Sequence, residues 1–504
     1  MMRSLFSGVA GLKTHQTKMD VIGNNIANVN TVAYKSQSVT FSDLMYQTTQ
    51  SASGATESGR AGVNAKQIGL GVTTGAISTS ITTSGASQST GNPFDVQISG
   101  DSFFIVSDGS SNYFTRAGAF YVDGNGTLAM SSNGYTVMGW QPSTEEGKED
   151  TIVKDTVSAL QIMSAENLTA EPEQTKKAYL SGIIDKNSTQ LDSSEGLIVN
   201  FSVYDNLGYS YTVKASIKQT GTDGEYSITP TKILDADGND LLKESAKAAG
   251  GTSTISITLG GSTVTCKYTA ATDTIPESYE YETTGDTNYI RYDTETGEYL
   301  GWSTSKGAAE TSLYDTDILG LKINGIDGFS QYTDTNQTDS DGHVIGGGNN
   351  VDIVLDTTTC YDNKGTSSIK GTAGDYNGQQ AGRKVGSMSG VSIQTDGKIY
   401  GSYDNGTTKL LGQIAVASFA NPSGLEKEGE NLYSATLNSG QFDGIGEDVT
   451  AGAGSLSTGV LEMSNVDLST EFTDMITTQR GFQANSRIIT VSDTLLEELT
   501  NLKR

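Results

Sequence analysis

Apolar residues recur every seventh position at both ends of the chain. Near the start Leu5, Leu12, Met19 and Ile26 keep that interval, with Ile22 and Val29 three residues beyond the last two. Seven residues make two helical turns, so these side chains share one face and predict a helix over residues 1 to about 35. At the far end Leu468, Met475, Phe482, Ile489 and Leu496 repeat the interval, and Phe472, Ile476, Leu495 and Leu499 widen the stripe. Ser464, Asn465 and Asp467 stand ahead of it as choices for the N-cap. Polar residues break both faces: His15, Gln16 and Gly23 in the first, Gln479, Ser486 and Asp493 in the second. A helix pair so interrupted buries too little apolar surface to stand alone.

Between the two helices the period changes to two. Phe94, Val96 and Ile98 alternate with polar neighbours, as do Val199, Phe201 and Val203, and Val351, Ile353 and Leu355. Turn dipeptides such as Asp123-Gly124, Asn133-Gly134, Asp396-Gly397 and Asn405-Gly406 punctuate the runs. Short strands joined by tight turns predict antiparallel sheets or barrels, with no alternation of strand and helix. The stretch from about 45 to 90 is Ser, Thr, Gly and Gln with few large apolar side chains, which suggests an extended linker. The expected fold is therefore multidomain α+β, mainly β, with antiparallel β domains nested between terminal helices that pair as a coiled coil. The expected division is 1–35 with 462–504 for the coiled coil, 36–90 for the linker, 91–150 with 375–461 for an inner β domain, and 151–374 for one or more outer β domains. Such nesting implies a rod with both termini at one end. Helix faces left unfinished there need neighbours, and head-to-tail contacts that do not close on themselves generate open helical filaments.

Composition narrows the chemistry. The 504 residues exceed what one core usually serves, so two to four domains are expected. With 59 acidic against 32 basic residues the formal charge is -27, which repels a phosphate backbone or an anionic bilayer, so neither nucleic acid nor a membrane is expected as a partner. No apolar run is long enough to span a bilayer, and the N-terminal residues lack the apolar core of a Sec signal. Two cysteines, Cys266 and Cys360, and two histidines, His15 and His343, give no disulfide framework or zinc pattern, so no metal or cofactor is expected. Cys266 alternates with Val264 and Tyr268 after the Gly260-Gly261 turn, as a buried hairpin thiol would. Asp235, Asp237, Asn239 and Asp240 resemble a calcium loop, but Gly238 falls at position four and not six, which favours a plain turn. No zinc-protease pattern, nucleophile elbow or phosphate loop occurs, and an enzyme is not expected. A glycan-cleaving carboxylate pair in the central β region is the rival reading, and the abundance of Asp and Glu there gives it no specific residues.

Two signatures then carry a resemblance. Val21-Ile22-Gly23-Asn24-Asn25-Ile26-Ala27-Asn28-Val29-Asn30-Thr31 with Ala33-Tyr34-Lys35 is similar to the N-terminal signature of the bacterial flagellar rod, hook and hook-associated proteins. Leu461-Glu462-Met463-Ser464-Asn465-Val466-Asp467-Leu468, followed by Gln479-Arg480-Gly481-Phe482-Gln483-Ala484-Asn485-Ser486, resembles that family's C-terminal signature. Gly100 to Val106, Phe114 to Phe120 and Gly139-Trp140 resemble further shared segments, and Val203 to Gly208 with Phe419 to Leu425 point to the hook branch. The resemblance covers roughly 1–145, 180–215 and 375–504, and residues 216–374 match nothing recognised. It implies a structural subunit that polymerises with itself into a flexible tube passing torque from rod to filament. It also implies an extracellular hook location, export as an unfolded chain by the flagellar type III apparatus, and contacts with the distal rod, the hook cap and the hook-filament junction proteins. A distal rod protein, or an axial protein with an adhesive outer domain, are the alternatives. Some hook proteins join a cysteine to a neighbour's lysine, and neither Cys266 nor Cys360 lies in a stretch matching that arrangement.

Overall fold

The computed structural model describes residues 2–54, 59, 61–143, 151–272, 276–314, 318–330, 350–355, 360–362, 366–375, 377–452 and 454–501. The chain divides into two compact units: Met1–Leu168, Met388–Ser402 and Thr408–Arg504 form one, and Thr169–Ser387 with Tyr403–Thr407 the other. Three α-helices occur among the described residues: α1 (Met2–Ala27), α2 (Leu241–Ala249) and α3 (Leu468–Asn501). No helix is long and apolar enough to cross a membrane among the described residues.

Both ends of the chain build the first unit. After α1, four strands fold back on themselves: β1 (Gln37–Asp43), β2 (Tyr46–Gln50), β3 (Lys66–Gly69) and β4 (Val72–Thr79). β1 pairs antiparallel with β4 and β2 with β3, so much of the Ser- and Thr-rich stretch is a hairpin ladder. Its backbone groups are satisfied across the ladder while Phe41, Met45, Tyr46, Ile68 and Ile77 stay exposed. The main sheet runs from Thr408–Ile414 through Thr136–Trp140, Phe103–Ser107, Asn112–Thr115 and Leu432–Ser434 to Glu426–Gly429. Three strands from the first 140 residues are thus flanked on both sides by strands from beyond residue 400. Phe103, Phe104, Ile105 and Val106 are all fully buried, which is how a strand covered on both faces reads. Trp140 anchors the edge of this core, its indole N–H donating to Asp155 O at 3.1 Å and Ile445 O at 3.0 Å. At Gly118 a Cβ would lie 1.7 Å from Val96 O, so only glycine lets these two backbones meet.

The second unit packs a five-stranded sheet, Leu197–Tyr204, Ser210–Gln219, Glu225–Leu234, Asn288–Tyr292 and Tyr299–Ser303, with a seven-stranded one around a single core. Val199, Phe201, Val203, Val351, Ile353 and Leu355, the alternating residues of the sequence, all lie in that core. Cys266 is buried there in the hairpin of Ser256–Leu259 and Ser262–Thr269. The side chain of Cys360 falls outside the described residues. Most pairs are antiparallel; Lys177–Ser181 with Val351–Leu355 and Ile183–Asp185 with Cys360–Asp362 are parallel. α2 corrects the expectation of an all-β centre. Asp240 caps it by accepting from Leu242 N–H, and Gly250 ends it in the left-handed conformation, signals that the turn-rich surroundings masked. The preceding loop is an Asx turn: Asp235 Oδ1 accepts from the N–H groups of Asp237 at 3.0 Å and Asn239 at 2.8 Å, which holds its carboxyl below the usual range.

The terminal helix pair and its junction as a candidate assembly site

α1 and α3 run antiparallel. Ser4 meets Ser492, Lys18 meets Asp474 at 3.2 Å, and Asn25 donates to Glu471 Oε1 at 2.8 Å. Small residues set how closely the helices approach. A Cβ on Gly11 would lie 2.7 Å from Asn485 Nδ2, one on Gly8 3.3 Å from Ile489, and one on Gly481 2.8 Å from the His15 ring. The buried positions of α3 are Thr478 and Ser492, and Thr14 of α1 is buried with its hydroxyl returned to Ala10 O and Gly11 O.

The heptad residues divide accordingly. Ile22 is buried; Leu5, Leu12, Met19, Ile26, Val29, Met475, Phe482, Ile489 and Leu496 are half-buried along or beside the seam. Leu468 and Phe472 are exposed, together with Ile476, Ile488, Val491, Leu495 and Leu499. Steps of three and four residues link Phe472, Ile476, Ile488, Val491, Leu495 and Leu499 into an exposed stripe that winds part-way around α3, with Arg480 and Ala484 interrupting it. On α1, Phe6 and Val9 are also exposed. The pair therefore shares a narrow seam of small side chains and leaves its bulk facing outward.

Beyond α1 the asparagines of the signature form a knot. Asn25 is buried and fully used: its amide donates to Gln37 O and Glu471, and its carbonyl oxygen accepts from Gln37 N–H at 3.0 Å and Tyr34 Oη at 3.3 Å. Asn24 donates to Tyr34 Oη at 3.1 Å, and Asn28 folds back on Asn24 O at 2.9 Å, ending the helix. Asn30 is exposed. From the C-terminal signature, Asn465 accepts from Ser36 N–H at 2.7 Å and donates to Ser80 O and Thr83 O, while Ser464 Oγ accepts from Val466 N–H. Asp467 caps α3 through Ser469 N–H at 2.9 Å. Gln479 and Arg480 are exposed, and Asn485 lies against Gly11. Burial pushes the Glu471 carboxyl up, against the bond from Asn25.

Beneath the knot lies an ion pair that periodicity does not reveal. Lys35 Nζ donates to Glu462 Oε1 at 2.7 Å and to Thr83 O at 2.8 Å, with both charged side chains wholly buried. Glu462 Oε1 also accepts from Gly85 N–H at 2.9 Å. Arg116, equally buried, stands over the Phe103 ring at 5.0 Å. Burial lowers the pKa of both cations, more than the bond from Glu462 restores for Lys35. The available signal was the charge inside each signature, Lys35 after Tyr34 and Glu462 between Leu461 and Met463.

His15 makes the helix contact sensitive to acid. It sits edge-on to Phe41 at 5.6 Å, with Gly481 of α3 against its ring. Burial first, and Lys18 second, lower its pKa from the ordinary 6.5. The unpaired chain therefore takes up a proton that the packed pair refuses, and the contribution of this contact, complete above pH 6.5, falls as the pH drops below it. Amide protection of α1 is expected to decrease between pH 7 and 5, and His15→Gln to flatten that dependence.

The segments that build this site match known protein families. Models of the flagella basal body rod protein, the flagellar hook protein FlgE/F/G D1 domain and the flagellar basal body rod FlgEFG protein C-terminal match residues 5–35, 97–170 and 457–502. These define an axial protein of the bacterial flagellum. The flagellar hook protein FlgE of Treponema pallidum is 33% identical over 100% of both chains, and that of Borreliella burgdorferi 35% identical over 100% of both. The flagellar basal-body rod protein FlgG of Bacillus subtilis is 53% identical, over 22% of this chain and 43% of its own. The chain belongs to the flagellar hook protein family.

Proposed function

We propose that this protein is the repeating subunit of a bacterial flagellar hook, polymerised through its terminal helices into the tube that carries torque from rod to filament. The observation that carries the reading is the exposed apolar stripe of α3, with Phe472, Ile476, Val491 and Leu495 each more than half or close to half exposed in the single molecule. Contact with other copies removes that surface from water at about 25 cal/mol per Å². The rod reading is weaker, since the rod relative is matched by only 22% of this chain. In the hook reading the protein is extracellular, passes through the flagellar type III apparatus, and meets the distal rod, hook cap and hook-filament junction proteins. Its role is mechanical and not enzymatic. Bending requires outer contacts to slide among nearly equal packings while the inner helices keep the tube closed.

Amide exchange compared between monomer and salt-induced assemblies, with electron microscopy of the same samples, tests this. Residues 2–27 and 468–501 are expected to exchange faster in the monomer than in tubes, where they become strongly protected. Ends that are fully protected in a monomer that never forms tubes would overturn the reading.

A further inference from the structure

We propose that the second compact unit carries a binding groove for an acidic polysaccharide. The groove has a volume of about 550 Å³ and is lined by the outward face of strands Leu197–Tyr204, Ser210–Gln219 and Glu225–Leu234 and by Val264, Tyr281 and Thr283. Three of its lining residues are lysines, in a chain whose formal charge is -27. Lys214 and Lys232 are register partners across an antiparallel pair, a position where like charges repel. Among the described residues no carboxylate pairs with either. Lys218 lies four residues along the same face, about 13 Å from Lys214, and donates to Ser194 O. Glu195, at that end, is the one carboxylate lining the groove among the described residues.

Two lysines directly opposite each other on one face, with no carboxylate pairing with either among the described residues, favour an anion, and the spread to Lys218 exceeds a single small one. The surface between them selects the kind of polymer. Asn200, Thr229 and Thr283 offer amide and hydroxyl groups that bond to no other described residue, and Tyr281 lines the same groove, with Lys243 Nζ 5.8 Å over its ring and its hydroxyl bonded to Asp240. Carboxylate on ammonium, sugar hydroxyl on amide and hydroxyl, and the C–H face of a sugar on an aromatic ring together match a chain of uronic acids.

The test uses the full-length monomer and fluorescence anisotropy of a labelled oligogalacturonate, with polyglutamate and dextran as competitors. Wild-type protein is expected to bind the oligogalacturonate in a salt-dependent way and to ignore dextran. Lys214→Gln with Lys232→Gln is expected to weaken binding about tenfold for each ammonium lost, while Lys370→Gln, outside the groove, changes nothing. Asn200→Ala is expected to weaken oligogalacturonate and spare any residual polyglutamate binding, and unchanged thermal melting verifies that each variant is folded. Absence of binding, equal loss in Lys370→Gln, or displacement by polyglutamate as effective as by unlabelled oligogalacturonate overturns the proposal. Because the monomer is assayed, tube formation has no bearing on the outcome.

Discussion

Ile476→Lys combined with Leu495→Lys is expected to give a folded monomer that no longer forms tubes. Both side chains are about half exposed in the single molecule, at 53% and 50%, so little of the monomer's own packing depends on them. In the proposed tube they are covered by neighbouring copies, where each such side chain, already half out of water, contributes about 0.8–1.5 kcal/mol of further burial. Losing both, and placing ammonium groups in the contact, raises the concentration needed for assembly by at least about tenfold at roughly 1.4 kcal/mol per factor of ten. Sedimentation at increasing concentration measures this, with far-ultraviolet circular dichroism as the control for folding. Tubes at the wild-type concentration would sink the assembly role of this stripe. Glu497→Lys, an exposed charge reversal on α3, separates the loss of apolar contact from a general effect of added lysine.

What the sequence disclosed depends on how far apart the partners lie. The terminal helices were legible because their apolar residues recur within each helix, and the alternation of Val199, Phe201 and Val203 was legible for the same reason. The seam itself was not. Heptads point to large side chains, whereas the close approach rests on Gly8, Gly11, Thr14 and Gly481, which no hydrophobic pattern marks. The ladder of β1 with β4 was hidden because its strands carry hydroxyl side chains and little apolar alternation, so backbone pairing holds what burial does not. α2 was missed for the opposite reason: its Asp240 cap ends a run of residues typical of turns. The signatures identified where the two ends of the chain matter, yet not that Lys35 and Glu462 meet, since the partners stand 427 residues apart.

That pair yields the second large effect. Glu462→Gln is expected to destabilise the first unit by about 3–5 kcal/mol, the range for breaking a buried ion pair. The carboxylate is the counter-charge of Lys35 at 2.7 Å, and Arg116 feels its field as well. Without it two buried cations remain, and Gly85 N–H keeps only an amide oxygen as its acceptor. Against a typical domain stability of about 5–15 kcal/mol, such a loss is large. Replacing both partners, Lys35→Met with Glu462→Leu, removes the uncompensated charge of Lys35 along with the bond, leaves Arg116 as the remaining buried cation, and is expected to be less damaging than Glu462→Gln alone. Urea unfolding of the wild type, Glu462→Gln, the single variants Lys35→Met and Glu462→Leu, and their double measures the difference. A double variant as unstable as the sum of its single substitutions would mean that Lys35 and Glu462 act independently. The effect reaches the helices because Lys35 follows α1 and Glu462 precedes α3, and Ala33 N–H donates to Glu462 O at 2.8 Å. The strands that leave one helix and enter the other are tied there, so loosening the tie is expected to reduce amide protection in α1 and α3 of assembled tubes before the rest of the first unit unfolds.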